Sequence, residues 1–267
     1  PLETTTNRRN KLVMTAIRDQ VYFPRGALAE FGFADTRMML VQVPQGDRMF
    51  EITPYGNSGN YFVGIDRHSN RQQWTANVIL PSIEKGGSHQ LRFGVDFQRA
   101  SFAQETVRHD YRVLRTDLTV ARHVTFAGDP FQQRRNFEGA HYILNKWTPR
   151  EGVVVEAGLR ADWDQVVRDV LWSPRISAAW APRWLSDTKF SAGYGIFHDS
   201  LSLGTLTRHQ DQVSYATFYA PGGAYERGPL MTAFYVNERE LRAPRHRTFS
   251  ASAERRLPFD FYGRAGF

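Results

Sequence analysis

The chain has 267 residues, 41% hydrophobic and 13% aromatic, with a net charge of +7 and no cysteine. No apolar run approaches the roughly 18 residues of a membrane helix, which excludes a helical membrane protein but not a barrel, whose strands need only every second residue apolar. The missing cysteines exclude a disulfide framework and a thiolate metal site, and cations scattered among acids speak against nucleic-acid binding, which wants them clustered on one element.

In chain order, residues 1–50 predict a strand near Met38–Val43 and otherwise loop, and residues 1–35 lack alternation. Gln73–Leu80 alternates, with Trp74, Ala76, Val78 and Leu80 opposing Gln73, Thr75 and Asn77. In His89–Phe97, Leu91, Phe93, Val95 and Phe97 oppose Arg92, Gly94, Asp96 and Gln98. Asn136–Trp147 predicts a strand of ambiguous facing, because Tyr142 and Leu144 compete with Ile143 and Trp147. Gly152–Trp163 is the cleanest: Val153, Val155, Ala157, Leu159, Ala161 and Trp163 oppose Val154, Glu156, Gly158, Arg160 and Asp162. A period of two puts each set on one face of a strand, and about ten residues suits a tilted membrane strand. Arg175–Trp180, Lys189–Phe197 and Thr248–Leu257 repeat the design, and Phe261–Phe267 reads as a strand cut short.

The connections come in two lengths. Glu84–Ser88, Thr148–Glu151, Ala181–Thr188 and Pro258–Asp260 are short and carry Gly or Pro turn chemistry. Thr53–Arg71, Ser101–Arg135 and Ser200–Leu241 are long, polar and irregular. Short turns at one end and long loops at the other is the pattern of an outer-membrane barrel. All six tryptophans, Trp74, Trp147, Trp163, Trp172, Trp180 and Trp184, fall near expected strand ends, where barrels carry aromatic girdles.

The fold class is therefore all-β: an antiparallel transmembrane barrel, here an incomplete wall of about ten to twelve strands. The positive charge is almost wholly arginine, since lysine stands only at positions 11, 85, 146 and 189. It fits a lumen or mouth that attracts anions, or a bias in nucleotide composition.

Several pieces, in order, resemble the barrel of TonB-dependent outer-membrane receptors, in particular an Oar-like subgroup with large loops. They are Tyr55–Tyr61, Gly87–Phe97, Trp147–Arg150 with Glu156–Asp162, Ser173–Pro182, Lys189–His198 and Arg242–Pro258. Ala161 stands where that family usually has Tyr. No plug domain or TonB-box segment is recognisable, and such transporters have roughly 22 strands around a plugged lumen. The resemblance therefore implies that residues 1–267 are a barrel segment, with plug, remaining barrel and signal peptide lying outside it.

It further implies uptake of a scarce or large substrate, such as a ferric chelate, cobalamin or an oligosaccharide, with outer-membrane lipid and, through the plug, the TonB complex as partners. Arg92, Asp96, Arg160, Asp162 and Arg175 would line the lumen, paired with one another or with the plug. The competing reading is a soluble all-β carbohydrate-binding module, which needs the apolar faces to meet in a closed core.

Nothing points to catalysis, a cofactor or a metal. Five of the eight histidines, His68, His109, His123, His209 and His246, directly follow Arg and fall in expected loops or rims, and no metal-ligand spacing occurs. Gly56-Asn-Ser-Gly59 has the wrong spacing for a nucleophile elbow and reads as a turn. Asp162 and Asp164 alone do not make a glycosidase pair.

Two geometric expectations follow. A loop at Gln165–Trp172 would place Asp162 opposite Arg175 and Ala161 opposite Ile176. Leu159, Ala161, Ile176, Ala178, Phe190, Ala192 and Tyr194 would form one exposed apolar band.

Overall fold

The structure is a computed structural model, and residues 2–267 are described. The strands are β1 (Thr6–Tyr22), β2 (Leu28–Pro44), β3 (Phe50–Thr53), β4 (Gly56–Ser58), β5 (Val63–Ile79), β6 (Ile83–Glu84), β7 (Ser88–Arg108), β8 (Tyr111–Leu114) and β9 (Val120–Ala127). They continue as β10 (Phe131–Arg150), β11 (Val153–Asp164), β12 (Val170–Trp180) and β13 (Thr188–His198). After one helical turn, α1 (Leu203–Leu206), come β14 (Val213–Tyr219), β15 (Tyr225–Thr232), β16 (Arg245–Arg256) and β17 (Tyr262–Gly266). Eleven strands form one antiparallel sheet in the order β1-β2-β5-β7-β10-β11-β12-β13-β16-β17, with the short β6 beside β7. Among the described residues β1 hydrogen-bonds only to β2, and β17 only to β16.

Short turns at residues 23–27, 80–87, 151–152, 181–187 and 257–261 all lie at one end of the sheet. In the first, Arg25 and Gly26 both take positive φ, as a tight hairpin turn requires. Gly152 also has positive φ, and a Cβ there would stand 2.5 Å from the Ala181 carbonyl oxygen. The other end carries longer excursions at 45–62, 109–130 and 199–244.

The register fixes the tilt of the strands. Starting at Leu28, the partners run Ile79, Arg92, Leu144, Gly158, Arg175, Gly195 and Thr248. Leu28 abuts a turn of the short end, whereas Thr248 lies eight residues from Arg256, which abuts another. Eight residues of about 3.3 Å gained over seven steps of about 4.8 Å give a tilt of about 38°. Closed barrels require roughly 35–45°.

One face of this sheet is apolar. The row Phe33, Trp74, Phe97, Gly139 and Trp163 crosses five strands as direct partners and makes an upper aromatic girdle. Trp147, Trp180 and Phe190 mark the lower edge, with Trp180 and Phe190 5.9 Å apart. Between them Phe31, Phe93, Ile143, Leu159, Ile176 and Tyr194 are all exposed. The ten residue steps from Val153 to Trp163 span about 33 Å along the strand and about 26 Å across the band at this tilt, close to the roughly 25 Å of an outer-membrane barrel. The expected band is present: Leu159, Ile176, Ala178, Phe190, Ala192 and Tyr194 are exposed, Ala161 is half-buried, and all seven share this face. No second layer closes over them.

Four expectations need correction. Residues 1–50 are not mainly loop, because β1 and β2 form a continuous 17-pair hairpin. The first long loop is shifted toward the N-terminus and the second is shorter than expected, because β5, β7 and β10 run well past the girdle, where hydrophobic alternation vanishes although the ladder continues. Asp162 lies opposite Leu171 and Ala161 opposite Trp172, while Arg175 faces Gly158. The cause is a tighter turn at 165–169, in which the Asp164 side chain accepts hydrogen bonds from the Val166 and Val167 N–H groups. Finally, His68, His123 and His246 lie in strands rather than loops.

The excursions build a second, six-stranded sheet, β15-β14-β9-β8-β3-β4, in which β3 and β8 are parallel. Phe50, Phe62, Tyr111 and Phe126 give it a small aromatic core, with Phe62 and Tyr111 4.7 Å apart.

Candidate functional site

The other face of the main sheet is polar, and the functional side chains stand there. Facing in β10 is resolved by its partners: Ile143 and Trp147 lie on the apolar face, Tyr142 and Leu144 on the polar one. All five lumen candidates, Arg92, Asp96, Arg160, Asp162 and Arg175, fall on the polar face. The register error left this intact, because an offset of four residues preserves facing.

At the level of the girdle, Arg160 is the hub. Its Nε donates to Asp162 at 2.7 Å, and its terminal nitrogen lies 3.8 Å from Asp96. Asp96 also accepts from Gln73 at 3.0 Å. These groups line a polar recess of about 250 Å³ together with Arg71 and Glu138. Behind it, the buried Asn136 donates to both Glu138 and Asp164 at 2.9 Å. The structure thus brings Asp96, Arg160 and Asp162 together.

Nearer the short turns, Arg92 pairs with Glu30 at 3.3 Å. Arg92 and Arg175 line a recess of about 420 Å³ with Glu156. Arg175 makes no ion pair among the described residues. Its side chain lies along Gly158, where a Cβ would come within 3.1 Å of its Nε.

Above the girdle, the segment between β13 and β14 folds back onto the polar face. Ser200 donates to Glu138 at 2.8 Å, and Gln210 accepts from the Gln133 N–H at 2.8 Å. Leu206 and Thr207 of this strap are buried, and Asp211 holds Arg108 through both terminal guanidinium nitrogens. Beneath the strap is a cleft of about 670 Å³, lined by Arg67, Arg71, Arg108 and Arg208 with Phe102 and Phe234 among others. Farther out, Arg134 clasps Glu238 and holds its carboxyl below the usual carboxylate range.

Sequence reasoning missed the arginines of this cleft. The signal was present in the even spacing of Arg67, Ser69 and Arg71, which places them on one face of a strand, but the stretch reads as loop by hydropathy.

This arrangement is that of a β-barrel wall: antiparallel strands at barrel tilt, a girdled apolar face and an ion-paired polar face. The outer membrane transporter YddB from Escherichia coli matches over 98% of this chain with a TM-score of 0.59 at 13% identity, and the chain spans 37% of that protein. The siderophore receptor PirA from Pseudomonas aeruginosa aligns with 96% of this chain and 50% of its own, with a TM-score of 0.37 at 11% identity. No protein-family model and no curated protein matches the chain.

Proposed function

We propose that the chain forms part of the wall of an outer-membrane transporter of the TonB-dependent kind, taking up a scarce or large small-molecule or oligosaccharide substrate. The observation that carries this reading is the division of one tilted sheet into a bare, girdled apolar face and a polar face crossed by ion pairs. Lipid satisfies the first face, and an aqueous or plugged lumen the second. In this reading Arg92, Asp96, Arg160, Asp162 and Arg175 line the lumen, and most of them serve one another rather than substrate.

The strand edges at β1 and β17 support the expectation that further strands complete the barrel, since hydrocarbon cannot satisfy unpaired backbone groups. The alternative, a soluble carbohydrate-binding module, is disfavoured because the apolar residues of the main sheet are exposed instead of meeting in a core.

The test is fractionation followed by uptake. The full-length protein should sediment with outer membranes and be extracted only by detergent, and uptake by cells expressing it should stop when the proton gradient is collapsed. Recovery in the soluble fraction without detergent sinks the reading.

A further inference from the structure

We infer that the cleft beneath the strap is a binding site for a small organic polyanion bearing carboxylate or phosphate groups on an apolar body. The inference rests on the transporter reading and narrows its substrate class.

Three guanidinium groups in the cleft, Arg67, Arg71 and Arg208, have no carboxylate within ion-pair distance among the described residues. The one acid in the lining, Asp211, is already committed to both terminal nitrogens of Arg108. Arg71 also borders the recess that holds Glu138, beyond ion-pair distance, so the cleft carries more positive charge than its own acid, Asp211, offsets. Elsewhere on the polar face Arg92 and Arg160 carry acidic partners, whereas Arg175 carries none among the described residues.

The site is also built. Arg67 donates its Nε to Gln104 at 2.6 Å, and Gln104 donates in turn to Thr106 at 2.6 Å. Both supporting side chains are buried, so the guanidinium is oriented by a fixed pair of amide and hydroxyl groups. Its terminal nitrogens remain available for an incoming oxyanion. The guanidinium carbon of Arg67 lies 5.5 Å from the centre of the Phe102 ring, and that of Arg208 lies 4.7 Å from the centre of the Phe234 ring. Burial and the nearby Arg8 both lower the pKa of Arg67, as expected where cations are held together without an anion.

A guanidinium matches carboxylate or phosphate geometry with two parallel hydrogen bonds. The rings and Met38 offer an apolar floor for the rest of the molecule. The volume of about 670 Å³ falls in the range of small-molecule sites. A neutral sugar can accept hydrogen bonds from these guanidiniums but brings no compensating charge, so the cleft favours anions within the substrate range proposed above.

The experiment measures binding to the full-length protein in detergent micelles by fluorescence anisotropy. The probes are a diethylaminocoumarin amide-linked to iminodiacetate, an aromatic dicarboxylate, and its neutral dimethyl ester. The acid should bind about tenfold tighter than the ester at low salt and lose that advantage as ionic strength rises. Arg67→Gln and Arg71→Gln should each weaken the acid several-fold, Arg67→Lys should restore part of the loss, and Arg183→Gln at the short-turn end should change nothing. Displacement by citrate or by inorganic phosphate names the preferred group. If Arg67→Gln does not insert, Arg208→Gln, outside the main sheet, carries the same expectation.

Equal affinity for acid and ester, or affinity unchanged in the arginine variants, overturns the proposal. Because the assay needs no uptake, the two readings fail separately. A protein absent from the outer membrane that still binds the acid through these arginines overturns transport alone. A membrane-inserted protein indifferent to probe charge overturns the anion site alone.

Discussion

The Tyr142 ring lies flat against Gly94. A Cβ at residue 94 would penetrate that ring and come 2.6 Å from the Asn77 carboxamide oxygen, to which the Tyr142 hydroxyl donates at 2.6 Å. One aromatic side chain thereby ties three neighbouring strands, β5, β7 and β10, together on the polar face. Gly94→Ala should destabilise the folded protein by about 1–3 kcal/mol, the usual range for overpacking. A urea titration followed by heat-modifiable migration measures it. Truncating the ring as well, in Gly94→Ala with Tyr142→Ala, should cost less than the two single changes together. Strict additivity would mean that the contact is not what Gly94 protects.

The apolar band should reject charge according to depth. Ile176 lies midway between Trp172 and Trp180 on β12, so Ile176→Arg should cost about 2–4 kcal/mol, and Ala178→Arg, closer to the lower edge, less. Ser177→Arg, on the polar face, should be nearly neutral. Refolding yield into lipid vesicles separates these cases. A larger loss at residue 177 than at residue 176 would reverse the assignment of faces.

Arg160 should behave as a shared partner of Asp96 and Asp162. The side chains are partly exposed, so removing it by Arg160→Gln should cost on the order of 0–1 kcal/mol at low salt and less at high salt. A double-mutant cycle with Asp162→Asn measures the coupling. No coupling at low ionic strength would show the pair to be energetically idle.

The Arg134–Glu238 clasp should weaken in acid. Arg134 lowers the Glu238 pKa in the folded state, so its contribution is present above the unfolded carboxylate value and disappears as pH falls through the lowered one. Below about pH 4, where carboxylates protonate, the segment around Glu238 should become more susceptible to pepsin. Glu238→Gln should make cleavage equally fast under milder acid. Identical cleavage of both proteins across that range would dismiss the clasp.

The sequence carried the membrane band and its facing because hydrocarbon imposes a strict period of two: Val153 to Trp163 reads almost as an instruction. Past the girdle that constraint ends. Gly64, Asp66, His68 and Asn70 face the same side as Trp74, yet nothing there demands apolar residues, so β5 merges into apparent loop. The same holds for most of β1, whose apolar side carries Arg9, Lys11 and Asp19 beside Val13 and Ile17. The misplaced register between Asp162 and Arg175 came from one side chain, Asp164, which caps its own turn and shortens it. The arginine cleft depends on a fold-back of more than a hundred residues' separation, which no local pattern encodes.

The extension of the strands beyond the upper girdle has a consequence for access. From Phe97 to Arg108, β7 continues for about 36 Å along its length, which is about 28 Å in height at the same tilt. In the transporter reading proposed above, the rim would stand clear of the lipid headgroups by about that height, and a diffusing solute would meet the rim before it meets the surface of the cell.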